Sequence, residues 1–228
     1  MKKRILAITS VFENSTPQLQ YAYCEALGDG RGYTFGYCGF TTATGDGLEL
    51  VRALEAERLN GYLPRLEQLA KDEDGSTVGL DAFCESWREV GSSAEGIRAQ
   101  HKVGEALYWK PAVKYAKELA WKSPLSLACL YDAIIQHGEG DDFDSLGSML
   151  KRTRMTNNER QSVAAFLRVR ARVLAHAHDP STREQWRATK SRTDALKNLV
   201  TADNWSLAWP IQIASRDFNC AINPTAVA

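Results

Sequence analysis

The chain has 228 residues, with 28 Lys+Arg against 28 Asp+Glu, so its formal net charge is zero. That length can bury a sizeable core, as one large domain or as two lobes, and the neutral balance argues against a nucleic-acid binder, which needs a net basic footprint. No apolar stretch is long enough to cross a membrane, and the five cysteines (24, 38, 84, 129 and 220) show neither metal-ligand spacing nor a CxxC pair.

The opening, MKKRILAITS, pairs a basic head with a short apolar piece. A signal peptide of normal length here would remove Glu13. The segment is therefore read as a first helix over 3–12, with Ile5, Leu6, Ile8 and Val11 turned inward. Glu13 follows in a polar turn, Glu-Asn-Ser-Thr-Pro. Residues 17–27 predict a short helix: Pro17 suits a first helical position, Leu19, Tyr23 and Leu27 recur at a spacing of four, and Gly28 stops it. Asp29 sits in Gly28-Asp29-Gly30-Arg31-Gly32. Glycines 30, 32 and 36 then punctuate an aromatic, β-prone run that predicts a hairpin over 33–42. Cys24 and Cys38 flank this turn; whether they pair stays open, and the odd count leaves at least one cysteine unpaired.

Two carboxylates thus bracket a helix about 16 Å long at roughly 1.5 Å per residue. That is too far for a dyad sharing one proton. It suits two acids across a gap that holds a water, the arrangement of inverting glycoside hydrolysis. On residue type alone, Asp in Gly-Asp-Gly also serves as a turn former, and Glu near a helix end as a dipole or capping residue.

Asp46, in Thr44-Gly45-Asp46-Gly47, precedes the helical stripe Leu48, Leu50, Val51 and Leu54 and is read as an N-terminal cap or dipole partner. Helices are expected over 63–71, 80–90, 94–109 (broken before Pro111) and 112–121, with a polar loop over 71–76. Residues 124–137, PLSLACLYDAIIQH, are apolar nearly all round, so this helix is central and buried, with Cys129 a small core residue. Asp132 inside it needs a charged partner. Gly138 ends the helix and the acidic loop GEGDDFD follows. Thr156-Asn-Asn-Glu159 reads as a capping box opening a helix to about 177, and Ser181-Thr-Arg-Glu184 as a second opening a helix to 199. Between them, His176-Ala-His178-Asp179 invites a zinc reading, but His-x-His without a third spaced ligand does not support one. The tail, NWSLAWPIQIAS, reads as an extended segment over the core.

The runs ENS, QY-x-Y-x-E and GDGRGYTFG-x-x-GFTT-x-TGDGLELV closely resemble the N-terminal half of the family 46 glycoside hydrolases, the chitosanases. The match is gap-free from Gln20 to Val51, with weaker echoes to about Arg183. The resemblance implies a mainly α, lysozyme-like fold, a single catalytic domain over 1–228 of two lobes separated by a substrate cleft, with a small β-hairpin sheet beside it. It implies inverting endo-hydrolysis of β-1,4-linked glucosamine polymers. Glu13 then matches the general acid, Asp29 the general base and Thr34 the residue positioning the attacking water. Ser15, Tyr23, Arg31, Asp46 and His178 match positions contacting the sugar chain, with Asp179 a further candidate. Asp132, Arg170 and Arg183 match a charge network behind the acid. No cofactor and no metal is expected. The expected partners are chitosan and glucosamine oligosaccharides, not nucleic acid or membrane, for a secreted monomer whose signal has been removed or replaced by Met. A lysozyme-like muramidase and a non-catalytic polysaccharide-binding protein are the alternatives.

Overall fold

The computed structural model describes residues 1–54, 57–178, 180 and 183–227. In chain order these hold helix α1 (Lys2–Asn14), strands β1 (Cys24–Ala26), β2 (Tyr33–Phe35) and β3 (Phe40–Thr41), then helices α2 (Asp46–Arg52), α3 (Glu57–Asn60), α4 (Leu63–Asp72), α5 (Phe83–Gly91) and α6 (Ala94–Gly104). Helices α7 (Lys110–Glu118), α8 (Pro124–His137), α9 (Leu146–Lys151), α10 (Glu159–Ala175), α11 (Arg183–Ala188) and α12 (Lys190–Thr201) follow, and then strands β4 (Ile211–Ala214) and β5 (Asn219–Ile222). The chain falls into two compact units, Met1–Gln18 with Tyr108–Ala228, and Leu19–Leu107.

The first unit is built around α8. Leu125 to Ile134 are buried without a break, as expected of a helix apolar on every side. Ser123 caps it, its Oγ accepting the Ser126 N–H at 3.1 Å, and Gly138 ends it at φ 74°. Helices α1, α7, α9, α10 and α12 pack against α8. Ile5 to Val11 of α1 are likewise buried throughout.

Three expectations change in this unit. The 156–159 capping box does not form. Asn158 is the N-cap of α10, and Glu159 reaches the start of α8 instead, accepting from Ser123 N–H (2.8 Å) and Ser126 Oγ–H (2.6 Å). The unpaired amides at the head of a neighbouring buried helix draw it more strongly than its own. The helix expected to run to 199 breaks at Thr189, whose hydroxyl donates to its own Trp186 carbonyl at 2.8 Å; Ser181 and Thr182 lie outside the described residues. The tail is a hairpin, β4 against β5, with Ile211, Ile213 and Ile222 buried.

The second unit holds the three-stranded antiparallel sheet β1-β2-β3. Cys24, Phe35 and Phe40 share one face, buried against Phe83 and Trp87 of α5, with Phe35 edge-on to Trp87 at 4.7 Å. Glu25, Thr34 and Thr41 share the other face. The helix expected over 17–27 is absent: residues 15–23 are bends and turns, and 24–26 form β1. The local spacing of four is outweighed because Cys24 pairs with Phe35 and is disulfide-bonded to Cys84 of α5; an isolated helix that short has little stability of its own. Helix α5 starts at Phe83 rather than at 80. Where a break was expected before Pro111, the helix runs on from α6 through a π-helical turn, Glu105–Trp109, into α7, and that irregular turn lies where the N–H that Pro111 lacks would otherwise bond.

Candidate active site

In the first unit, Glu13 lies in the last turn of α1 rather than in a turn after it. Ser15 ends that helix in the left-handed region at φ 57°. The Glu13 side chain is 26% accessible, and its carboxylate takes Arg192 Nη2 at 2.5 Å. Arg192 comes from α12. It also donates Nε to both Asp132 oxygens (3.0 and 3.1 Å) and Nη2 to Oδ1 (2.8 Å). Arg170 of α10 meets Asp132 Oδ2 through Nη1 at 2.7 Å. Its other donors go to Gln136 Oε1 (2.6 Å) and His137 Nε2 (3.3 Å). Asp132 and Arg170 are fully buried.

Four charges therefore alternate, Glu13, Arg192, Asp132, Arg170, and cancel. Burial alone would raise the Asp132 pKa; Arg192 and then Arg170 outweigh it and hold the carboxyl below the ordinary range. Burial works against the Arg192 cation, but Asp132 and Glu13 more than restore it and raise its pKa above the ordinary value. Burial lowers the Arg170 pKa more than Asp132 lifts it. Breaking such a desolvated chain at any link strands a charge.

Arg183, expected in this network, is not part of it. It is exposed at the head of α11 and donates to the carbonyls of Ala177 (2.8 Å) and His178 (3.2 Å). Arg192 occupies the expected place. A signal for it was present: Arg192, Ala195, Leu196 and Leu199 recur at i, i+3, i+4 and i+7, and all four are buried. An arginine in register with an apolar stripe has a buried partner to find.

In the second unit, Asp29 stands in the turn between β1 and β2. Arg31 closes on it with three hydrogen bonds, backbone N–H to Oδ1 (3.1 Å), Nε to Oδ2 (2.9 Å) and Nη2 to Oδ2 (2.6 Å). The Asp29 side chain is only 11% accessible, against 52% for Arg31. Gly75 packs so tightly on the Gly30 backbone that no side chain fits there, which backs the turn. Thr34, at the centre of the polar sheet face, has its Oγ1 buried without a hydrogen-bond partner. Such a hydroxyl wants a water or a ligand. Beside it in register stands Glu25, which accepts from the Tyr23 hydroxyl at 3.1 Å. Asp46 opens α2 and gathers Thr41 N–H (3.0 Å), Thr44 Oγ–H (2.8 Å) and Gly47 N–H (2.8 Å) on Oδ1. Gly45, not Asp46, is the N-cap.

His178 is exposed, and its N–H donates to Asp144 Oδ2 at 2.7 Å. Asp179 lies outside the described residues. Among the described residues, no group of three or more His, Cys, Asp or Glu side chains is placed to hold a metal ion.

Residues 7–211 match the family model for glycosyl hydrolase family 46. The chitosanase of Bacillus subtilis (strain 168) is 39% identical over 229 residues, spanning 95% of this chain and 83% of that protein. Among solved structures, a mutant chitosanase from Bacillus subtilis MY002 complexed with 6 GlcN superposes with a TM-score of 0.93 at 38% identity, over 97% of this chain and 98% of that one. The family 46 chitosanase of Gynuella sunshinyii, in complex with chitotetraose, gives a TM-score of 0.90 at 40% identity, over 96% and 97% of the two chains. The mainly α architecture with its small antiparallel sheet is the lysozyme-like class the sequence resemblance implied. The chain is a glycoside hydrolase and belongs to glycosyl hydrolase family 46.

Proposed function

We propose that the protein is an endo-acting chitosanase that hydrolyses β-1,4 linkages between glucosamine residues with inversion at the anomeric carbon. Glu13 protonates the leaving oxygen. Asp29 takes a proton from the attacking water, which the Thr34 hydroxyl orients. The observation that carries this reading is the anchoring of Glu13, a partly open carboxylate on a buried chain of opposite charges. Asp132 draws positive charge away from Arg192, so Arg192 orients Glu13 without presenting an uncompensated cation to it. Arg31 holds the Asp29 carboxylate in a fixed direction through paired hydrogen bonds, as a base must be held. Relatives complexed with 6 GlcN and with chitotetraose support a glucosamine polymer as substrate. Its ammonium groups pair with carboxylates such as Asp46 through charge-assisted hydrogen bonds. An N-acetylated polymer leaves those acids without a charge partner, which disfavours chitin. Ser15, Tyr23, Arg31 and His178 supply further polar contacts to the chain, and secretion accompanies an extracellular polymer.

The test is direct. Glu13→Gln and Asp29→Asn are each expected to lower kcat by about 100-fold or more while glucosamine hexamer still binds. NMR of early products from chitosan is expected to show the α-anomer first. Full activity in both variants, or an initial β-anomer, overturns the assignment.

A further inference from the structure

Phe143 is 55% accessible, in the acidic loop between α8 and α9 that also carries Asp141, Asp142 and Asp144. A lone exposed aromatic is ordinary, but this one is held. The Arg152 guanidinium, just past α9, lies 4.4 Å from the ring centroid, and Arg152 Nη2 also donates to the Phe143 carbonyl. The imidazole of His178 packs on the same ring in a tilted arrangement, with centroids 4.9 Å apart and planes at 35°. The His178 backbone is gripped as well. Its N–H goes to Asp144 Oδ2 at 2.7 Å, and its carbonyl takes Arg183 Nη2 at 3.2 Å. The Asp144 loop is itself closed by Ser145 N–H to Asp142 O at 2.9 Å and Leu146 N–H to Gly138 O at 3.1 Å. An exposed histidine in a loop ordinarily samples several rotamers. Here the backbone and the ring are fixed from separate directions.

We propose that Phe143 is a positioning residue for substrate binding: held by Arg152, its ring pre-orders the His178 imidazole, so that His178 meets a glucosamine unit already oriented. This rests on the proposed function, in which His178 contacts the sugar chain. Freezing a side chain on binding weakens affinity, and freezing it beforehand removes that loss. The benefit therefore appears in KM and leaves the chemistry at Glu13 and Asp29 alone. It also gives Arg183 a task, fixing the 177–178 backbone rather than the charge network.

The experiment compares Phe143→Ala, Phe143→Tyr, His178→Ala and the double Phe143→Ala/His178→Ala, with kcat and KM measured on glucosamine hexamer. NMR of the free proteins records the imidazole proton shifts. Phe143→Ala is expected to raise KM about 2- to 10-fold, with kcat within twofold. Phe143→Tyr, which keeps the ring, restores KM. The imidazole resonances lose the ring-current shift in Phe143→Ala only. The double variant is expected to match His178→Ala, because the two act as one unit. Additive losses would mean that Phe143 meets the sugar itself, and would overturn the positioning role. An unchanged imidazole spectrum in Phe143→Ala would also overturn it. If His178→Ala leaves KM unchanged, the sugar contact fails and this inference fails with it, whereas loss of hydrolysis in the unmodified protein would count against the proposed function instead.

Discussion

Removing Arg192 separates the two accounts of the charge network. In Arg192→Leu, Asp132 keeps only Arg170, and Glu13 loses its anchor. The Arg192 side chain is 6% accessible and that of Asp132 1%, so solvent screens little of the loss. Breaking a buried pair by deleting one partner costs about 3–5 kcal/mol. At about 2 cal/mol/K per residue, a chain of this size loses roughly 2 °C of Tm per kcal/mol, so a fall of about 6–10 °C is expected. Displacing Glu13, the proposed general acid, is expected to add a drop in kcat of about 100-fold. Arg183→Leu is the control. It removes two bonds to backbone carbonyls from an exposed arginine, each worth about 1 kcal/mol. Its Tm is expected to fall by less than about 4 °C, with kcat unchanged and any effect confined to KM. Thermal melts and initial rates on chitosan read both variants. If Arg183→Leu loses as much kcat and Tm as Arg192→Leu, the network derived above is wrong.

Stability is expected to depend on pH through His137. Burial, then Arg170 and Arg192, push its pKa well below the ordinary 6.5. Below pH 6.5 the unfolded chain takes up a proton that the folded chain refuses, so folding stability falls as pH drops, by at most about 1.4 kcal/mol per unit. Urea midpoints from pH 7 down to 5 should show this slope, and His137→Gln should flatten it; an equal slope in the variant would refute the assignment. Asp132 acts at lower pH. Its depressed pKa contributes stability that is present above the ordinary 3.8 and lost as pH falls through the folded value. The disulfide yields a further expectation. Cys24 and Cys84 are 60 residues apart, and closing a loop of that length stabilises by about 4 kcal/mol in the chain-entropy model. Cys24→Ser/Cys84→Ser is expected to lower Tm by several degrees in calorimetry, and an unchanged Tm would show that the reduced chain holds the same loop closed.

The long helices were legible because their signals are local. The apolar run 124–137 forms α8 over those same residues, and the run near the N-terminus forms α1. The motifs were legible too: glycines flanking Asp29 read as a turn, and a turn is what they make. An aspartate inside an apolar helix announced that cations must come to it, and Arg170 does.

What the sequence could not announce was which partner wins when several compete. Arg183 and Arg192 both follow α10, and only the packing of α12 on α8 brings Arg192 to Asp132. Glu159 had a capping site three residues back and a better one on a neighbouring helix. Residues 17–27 had helical spacing, yet a strand partner and a cysteine far along the chain outweighed it. Amino-acid order determines periodicity, turns and the need for a counter-charge, because these depend on neighbours a few residues away. Choosing among distant donors, acceptors and thiols depends on desolvation and pairing energies that exist only once the chain has closed on itself.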